Sequence, residues 1–180
     1  MTTYSAWKKL SSRTVYKNQW IKIHEDQVIQ PNGEESVYGL LEGKEYVMVI
    51  PRLKPNSFCM IEQYRYPIKQ FSLEFPAGGL KKGENVIDAL KRELQEEAQL
   101  YSNKLTKLGC LDIGNNFTNM HFYVYLAEEV SIAPKKPHDP SEGQIKIRTL
   151  SLAEIKKRIK DGIIKDGQTV AAFNLFLLNQ

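Results

Sequence analysis

Residues 78–100, GGLKKGENVIDALKRELQEEAQL, contain a glycine-rich loop followed by a segment dense in acidic side chains. Asparagine before this segment is a favourable N-cap, which predicts a helix over 86–98. On that helix Glu93, Glu96 and Glu97 have i, i+3, i+4 spacing, so three carboxylates lie within an arc of roughly 100°. Like charges at this spacing destabilise a helix slightly, and either solvation or a bound cation relieves them.

The loop over 78–83 favours the cation over a solvated acidic face. Its backbone carbonyls can bind a metal, while its amides and the start of the helix attract phosphate. Oxygen ligands prefer Mg²⁺, Mn²⁺ or Ca²⁺ to zinc. A metal beside a phosphate site indicates a pyrophosphate substrate.

Short runs rich in β-branched and aromatic residues precede this stretch, and a mixture of strands and helices follows it. The predicted strands are 14–16, 20–29, 37–41, 46–53, 58–64, 71–75, 105–111, 121–126 and 145–150, and the predicted helices are 86–98, 151–160 and 169–178. Residues 76–83 and 133–143 are predicted loops. This order predicts an α/β domain over 46–180, preceded by a small antiparallel β extension over 1–45.

Composition excludes several classes of protein. The chain has 180 residues, 42% of them hydrophobic, so it can bury a core, and its formal charge of +4 does not require a nucleic-acid partner. The longest apolar runs are too short to cross a bilayer, so no membrane partner is expected. Cys59 and Cys110 lack metal-ligand spacing, which favours buried free thiols and a cytoplasmic location.

The acidic stretch resembles the Nudix box of Nudix hydrolases. The matching pattern is Gly78, five residues, Glu84, seven residues, and then RELQEEAQL over 92–100. Every charged position of the box is present, and Gln99 stands where the family usually has glycine. EQYRYP over 62–67 and EFPAG over 74–78 resemble the ADP-ribose pyrophosphatase branch of the family.

The resemblance implies a Nudix-type α/β/α sandwich with a mixed sheet. It also implies a pyrophosphohydrolase that uses Mg²⁺, or Mn²⁺, to split the diphosphate of ADP-ribose or a nucleotide sugar into a nucleoside monophosphate and a sugar phosphate. The alternatives are a GDP-mannose-like or UDP-sugar hydrolase, an enzyme acting on oxidised nucleoside triphosphates, and a non-catalytic nucleotide-sensing module.

The resemblance also assigns roles to individual residues. The implied metal ligands are the carbonyl of Ala77 and the carboxylates of Glu93, Glu96 and Glu97. Glu96 can alternatively act as a base. The implied catalytic residues are Glu96, Arg92 and Glu142. Arg92 orients a box carboxylate and lies beside Glu84. Glu142 is the general base from a late loop, and Asp139 is the alternative for that role.

Three residues are predicted to bind substrate, namely Arg65, Glu74 and Gly78. Arg65 matches the family arginine that reaches the diphosphate, a contact that its guanidinium fork suits, and its removal is expected to have little influence on thermal stability. The alternative is an exposed surface arginine. Glu74 either contacts the nucleoside or is buried to fix the end of a strand.

A homodimer is expected from the N-terminal hairpin, 20–41, which carries more Tyr, Trp and Ile than a small hairpin can bury. The resemblance implies that it packs on, or exchanges with, a second subunit. Trp20, Tyr38 and Tyr46 are predicted either to belong to a core or to stack on a base at the dimer edge.

Overall fold

The computed structural model describes residues 6–134 and 144–180, which form two compact units. The first unit contains the chain up to Lys44 together with Asp112–His121. The second contains Glu45–Leu111 and Phe122–Gln180. None of the described helices combines the length and apolar content that crossing a bilayer requires.

The first unit contains a three-stranded antiparallel sheet with the strand order β1-β2-β3. Its strands are β1 Lys8–Lys17, β2 Lys22–Ile29 and β3 Glu35–Glu42. The predicted hairpin is confirmed, and its turn contains Gly33 at φ 89°, a conformation that glycine adopts without steric cost. The first predicted strand is longer at both ends than expected.

The segment Asp112–His121 packs with this sheet although it is distant in sequence. The Leu41 amide donates to the Phe117 carbonyl at 2.8 Å, and the Tyr38 hydroxyl donates to the Asn116 carbonyl at 2.5 Å. Tyr38 also meets Trp7 edge to face, with ring centroids 5.4 Å apart. The two hydrogen bonds join β3 to a distant loop, which no local sequence pattern indicates.

The larger sheet is mixed and lies mostly in the second unit. Its strands are β4 Tyr46–Lys54, β5 Ser57–Arg65, β6 Gln70–Glu74, β7 Ala77–Gly79, β9 Lys104–Ile113, β10 Met120–Glu128 and β12 Lys146–Ser151. The strand order is β12-β5-β4-β10-β9, with β6 on β5 and β7 on β4. β10 runs parallel to β4, whereas β12 and β6 run antiparallel to β5. A separate pair contains β8 Leu100–Tyr101 and β11 Ser131–Ile132.

Helices cover both faces of this sheet. They are α1 Val86–Ala98, α2 Leu152–Lys160 and α3 Gly167–Leu178. Val47, Val49 and Cys59 belong to a core cluster that includes residues of α1. Phe58, whose side chain alternates with that of Cys59, instead meets Phe176 of α3 at 5.1 Å between ring centroids. The continuous burial of β4 is thus explained by helices on both faces, as predicted for a sandwich.

Two local predictions are wrong. Residues 77–79, expected to be loop, form β7 and pair with β4 over Tyr46–Met48, because two glycines allow the backbone to lie close to the neighbouring strand and helix. Cys110 is exposed on β9, while Cys59 is buried and both thiols are free. Burial raises the pKa of Cys59 to about 12.

Helix caps explain why the helix bounds were predictable. Asn85 accepts from the Asp88 amide at 3.0 Å, and Ser151 forms a capping box with Glu154. At the end of α1, Gln99 adopts the left-handed conformation at φ 56°. The helix therefore ends where a glycine would end it, but with a side chain in a conformation disfavoured for all residues except glycine.

We expect Gln99→Gly to stabilise the protein by about 0.5–1 kcal/mol, because relief of the left-handed strain outweighs the extra freedom of glycine in the unfolded chain. The backbone bonds of Gln99, to Gln95 and Ala133, do not depend on its side chain. Urea unfolding measures the change. Asp161→Gly is the control, since Asp161 ends α2 at φ −79° and gains no such relief. Equal effects at both positions would contradict the strain at Gln99.

Candidate functional site

The acidic residues of α1 are positioned by its apolar side. Ala89, Leu90 and Leu94 are buried in the core cluster beside β4, which fixes the rotation of the helix about its axis. Glu93 and Glu97 are one turn apart and only 5% and 3% exposed. Both carboxylates therefore lie at the edge of the buried surface, beside β7.

Arg92 joins four groups around this edge. Its Nε and Nη2 donate to the two oxygens of Glu84 at 2.7 and 2.8 Å, and Nη2 also donates to the Gly79 carbonyl at 3.1 Å. Its Nη1 lies 2.5 Å from Glu93 and 3.4 Å from Glu96. The Lys81 amide completes the arrangement by donating to Glu84 at 2.8 Å. Arg92 thus ties the glycine loop to the carboxylate face.

Gly78 lies directly against the Glu93 carboxylate. A Cβ at this position would collide with both oxygens of that carboxylate, so a larger residue would displace the Glu93 side chain from its present position. Next to it, the Ala77 amide donates to Glu97 at 2.8 Å. The predicted residues Ala77, Gly78, Glu93 and Glu97 are therefore brought together, with backbone and carboxylates in direct contact.

The donor chemistry fits a hard divalent cation. Glu84, Glu93 and Glu96 share one guanidinium, so their negative charge exceeds the positive charge that Arg92 brings, and carboxylate oxygens are the preferred ligands of Mg²⁺ and Mn²⁺. Within the described residues, no group of three or more His, Cys, Asp or Glu side chains forms a ready-made metal site. In this arrangement Arg92 itself contacts two of the predicted ligands, Glu93 and Glu96.

The same contacts shift two pKa values. Hydrogen bonding to Arg92 lowers the pKa of Glu84 to about 2, and it raises the pKa of Arg92 above its usual range. Arg92 therefore stays charged, and Glu84 acts as its fixed counterion. This geometry fits Glu84 as a structural partner of Arg92.

Stability should fall in acid through Glu84. Because its pKa is lower in the folded protein than the usual 4.5, its contribution is fully present above about pH 4.5 and is lost as the pH falls toward 2. We expect the difference in unfolding free energy between wild type and Glu84→Gln to shrink by up to about 3 kcal/mol over that range. Urea unfolding at several pH values measures it. A gap that stays constant from pH 6 to pH 2.5 would contradict this assignment.

Arg65 and Glu74 form a second charged pair in this unit. The Arg65 Nε and Nη2 donate to Glu74 at 3.0 and 2.5 Å, and Gln63 donates to the same carboxylate at 3.3 Å. Burial would lower the pKa of Arg65, but the hydrogen bonds to Glu74 and the charge of nearby Glu97 outweigh it and raise the pKa. Since Glu74 is buried, removal of Arg65 should also lower stability, which changes the sequence-based expectation that stability would hardly move.

The late loop predicted to supply a general base begins beside α1. Gln95 donates to the Pro134 carbonyl at 3.0 Å, and the Ala133 amide donates to the Gln99 carbonyl at 2.9 Å. Glu142 and its alternative Asp139 lie outside the described residues. Their predicted role stays a prediction.

Sequence analysis missed two contributors to the site. Gln63, which is buried, and the Gly79 carbonyl each hydrogen bond to a predicted site residue. Alternation along β5 could have indicated Gln63, because residues two apart on a strand lie on one face.

Of the aromatic residues predicted either to belong to a core or to stack on a base, Trp20 is exposed in the first unit, and Tyr46 is borderline exposed at the start of β4.

Comparisons with known proteins identify the family. A model of the NUDIX domain matches residues 44–173, and a model of the nucleoside diphosphate sugar hydrolase N-terminal domain matches residues 7–41. The chain belongs to the Nudix family. The predictions of a Nudix pyrophosphohydrolase and of hydrolysis of nucleoside diphosphate sugars are confirmed.

Individual relatives resemble the chain over nearly its whole length. An ADP-ribose pyrophosphatase of Bacillus subtilis (strain 168) is 25% identical over 96% of this chain and 94% of its own. A methanol dehydrogenase activator of Bacillus methanolicus is 27% identical with the same coverage. The crystal structure of an ADP compounds hydrolase has a TM-score of 0.87 at 22% identity and covers 98% of this chain and 95% of its own, which confirms the predicted fold.

Proposed function

We propose that this protein hydrolyses ADP-ribose or a related ADP-sugar with Mg²⁺ or Mn²⁺, in the cytoplasm. The observation that carries the proposal is the carboxylate face of α1 packed against the Ala77–Gly79 backbone. The Bacillus subtilis relative is named an ADP-ribose pyrophosphatase, which supports an ADP compound over a GDP or UDP sugar. Free thiols at Cys59 and Cys110 fit a reducing compartment, and the proposal involves neither nucleic acid nor a membrane.

The residues divide the work between cation and substrate. Glu93, Glu96, Glu97 and the Ala77 carbonyl would hold the cation. When bound, the cation neutralises diphosphate charge and makes water a better nucleophile. Arg65 binds the diphosphate, and Arg92 keeps Glu93 and Glu96 oriented. Glu96 or Glu142 accepts the proton of the attacking water.

A panel of substrates tests the proposal. ADP-ribose, other ADP-sugars, GDP-mannose, a UDP-sugar and an oxidised nucleoside triphosphate are incubated with Mg²⁺, and the phosphomonoester released is measured after phosphatase treatment. We expect ADP-ribose or another ADP-sugar to give the highest kcat/KM. A GDP or UDP sugar in first place would replace the proposed substrate. Binding of these compounds without turnover would favour a sensing module.

We further propose a homodimer formed through the first unit. Its sheet and the adjoining loops expose many large apolar side chains, namely Leu10, Val15, Tyr16 and Val37 on the strands and Trp7, Trp20 and Ile21 next to them. Such a surface on a small sheet favours association. The single chain has a mass of 20.7 kDa, and light scattering at micromolar concentration should give twice that mass.

A matched pair of variants tests which surface is used. Val15→Glu on β1 should shift the protein toward monomer, whereas Ile163→Glu, at an exposed position in the second unit, should not. A wild-type mass of 20.7 kDa would contradict the dimer.

A further inference from the structure

Strand alternation places three polar side chains on the face of the sheet that α1 covers. Cys59 belongs to the core cluster with α1, and every second residue after it on β5 has the same orientation, ending with Gln63 and Arg65. β6 pairs in register with β5, with Glu74 opposite Ile61, so Glu74 shares that face. The charge of Glu97 acts on Arg65, consistent with this placement.

Glu74 occupies one edge of the Arg65 guanidinium. Its Oε1 accepts from Nε at 3.0 Å, and its Oε2 accepts from Nη2 at 2.5 Å. Gln63 donates to Oε2 at 3.3 Å from the same strand as Arg65. The Glu74 side chain is 7% exposed and that of Arg65 is 43% exposed, so the carboxylate is anchored while the guanidinium reaches the surface.

A guanidinium has two edges that can each form paired hydrogen bonds, Nε with Nη2 and Nη1 with Nη2. Because Glu74 takes the first edge, the second points away from the carboxylate. That edge presents parallel N–H groups with the spacing of two phosphate oxygens. Arg65 is therefore oriented end-on before a ligand arrives, which reduces the entropy lost on binding.

We propose that Glu74 is a positioning residue, held by Gln63, that aims the outer edge of Arg65 at the substrate diphosphate. The inference rests on the proposed function and replaces the prediction that Glu74 contacts the nucleoside. Both Glu74 oxygens already accept hydrogen bonds within the protein, and the buried side chain has little surface left for a ligand.

Single variants give the first part of the test. Glu74→Gln should raise KM for ADP-ribose about tenfold and change kcat less than threefold, because Arg65 remains but is misaligned. Glu62→Gln is the matched control: Glu62 pairs with Arg148 at 2.6 Å, also from β5, but its position alternates with that of Arg65. Its KM should equal that of wild type.

A double-mutant cycle separates positioning from direct binding. Once Arg65→Ala has removed the guanidinium, Glu74→Gln should change KM less than twofold, since Glu74 acts only through Arg65. Calorimetric binding of ADP in EDTA should show the same lack of additivity without any turnover. Independent tenfold effects in both backgrounds would overturn the inference in favour of direct nucleoside contact.

Arg65→Lys provides a second route should Glu74→Gln fail to fold. A lysine ammonium has no pair of edges that can each form two parallel hydrogen bonds. The KM of Arg65→Lys for ADP-ribose should therefore lie within threefold of the KM of Arg65→Ala. A wild-type KM in Arg65→Lys would overturn the inference. Failure of the proposed function looks different, because wild type itself would then leave every ADP-sugar of the panel intact.

Discussion

Replacement of Glu97 by Gln should lower kcat by about 100-fold or more at saturating Mg²⁺, with the fold retained. The change removes one negative charge from the proposed cation ligands, and loss of a charge-stabilising group at a reacting phosphate costs about 3–4 kcal/mol. The side-chain oxygen of Gln can still accept the hydrogen bond that the Ala77 amide donates to Glu97, with an N–O distance of 2.8 Å. Initial rates over a range of Mg²⁺ concentrations, together with the melting temperature, measure both effects.

Asp88→Asn is the matched control for Glu97→Gln. It makes the same acid-to-amide change on the same helix, but at an exposed position in the first turn. Its kcat should stay within a factor of about two of wild type. Near wild-type kcat in Glu97→Gln would show that Glu97 does not hold the cation.

Arg92→Met should produce the largest loss of stability. Arg92 contacts Glu84, Glu93 and Glu96, and its side chain is only 15% exposed. Removing one partner of such a buried network leaves uncompensated negative charge, which costs about 3–5 kcal/mol. The melting temperature should fall by roughly 10 °C, and activity should also drop because the box carboxylates lose their orientation.

Lys91→Met is the control for Arg92→Met. Lys91 precedes Arg92 on α1 and contacts Asn103 and the Tyr101 ring, so its loss should cost less than about 1 kcal/mol. A melting temperature of Arg92→Met equal to that of wild type would show that Arg92 does not stabilise the fold through its contacts with Glu84, Glu93 and Glu96.

The bounds of α1 were predictable because the signals are local. Asn85 caps its start, and the observed helix runs from Val86 to Ala98 as expected. The spacing of its glutamates likewise sufficed to group them on one face. Gln99 shows the limit of such reasoning, since tertiary packing holds it in a backbone conformation that its own preference opposes.

The remaining features depend on contacts between distant residues. The glycines of β7 carry no strand preference, and pairing with β4 alone makes them a strand. The fork between Arg65 and Glu74 requires the register of β5 with β6, which the sequence does not specify. Sequence patterns therefore predicted the helices and the carboxylate face, but not the orientation of Arg65.

The first unit contains two stretches that are distant in sequence, which affects how it folds during synthesis on the ribosome. Leu41 bridges to Thr118, which is synthesised about 77 residues later. At roughly 5–20 residues per second, the three nascent strands wait about 4–15 s for this segment. A truncated product that stops before Asp112 thus has all three strands of the sheet, with Leu41 still paired to Ile23, but lacks the segment that bonds to the outer side of Leu41. Such fragments should be early targets for proteases and chaperones.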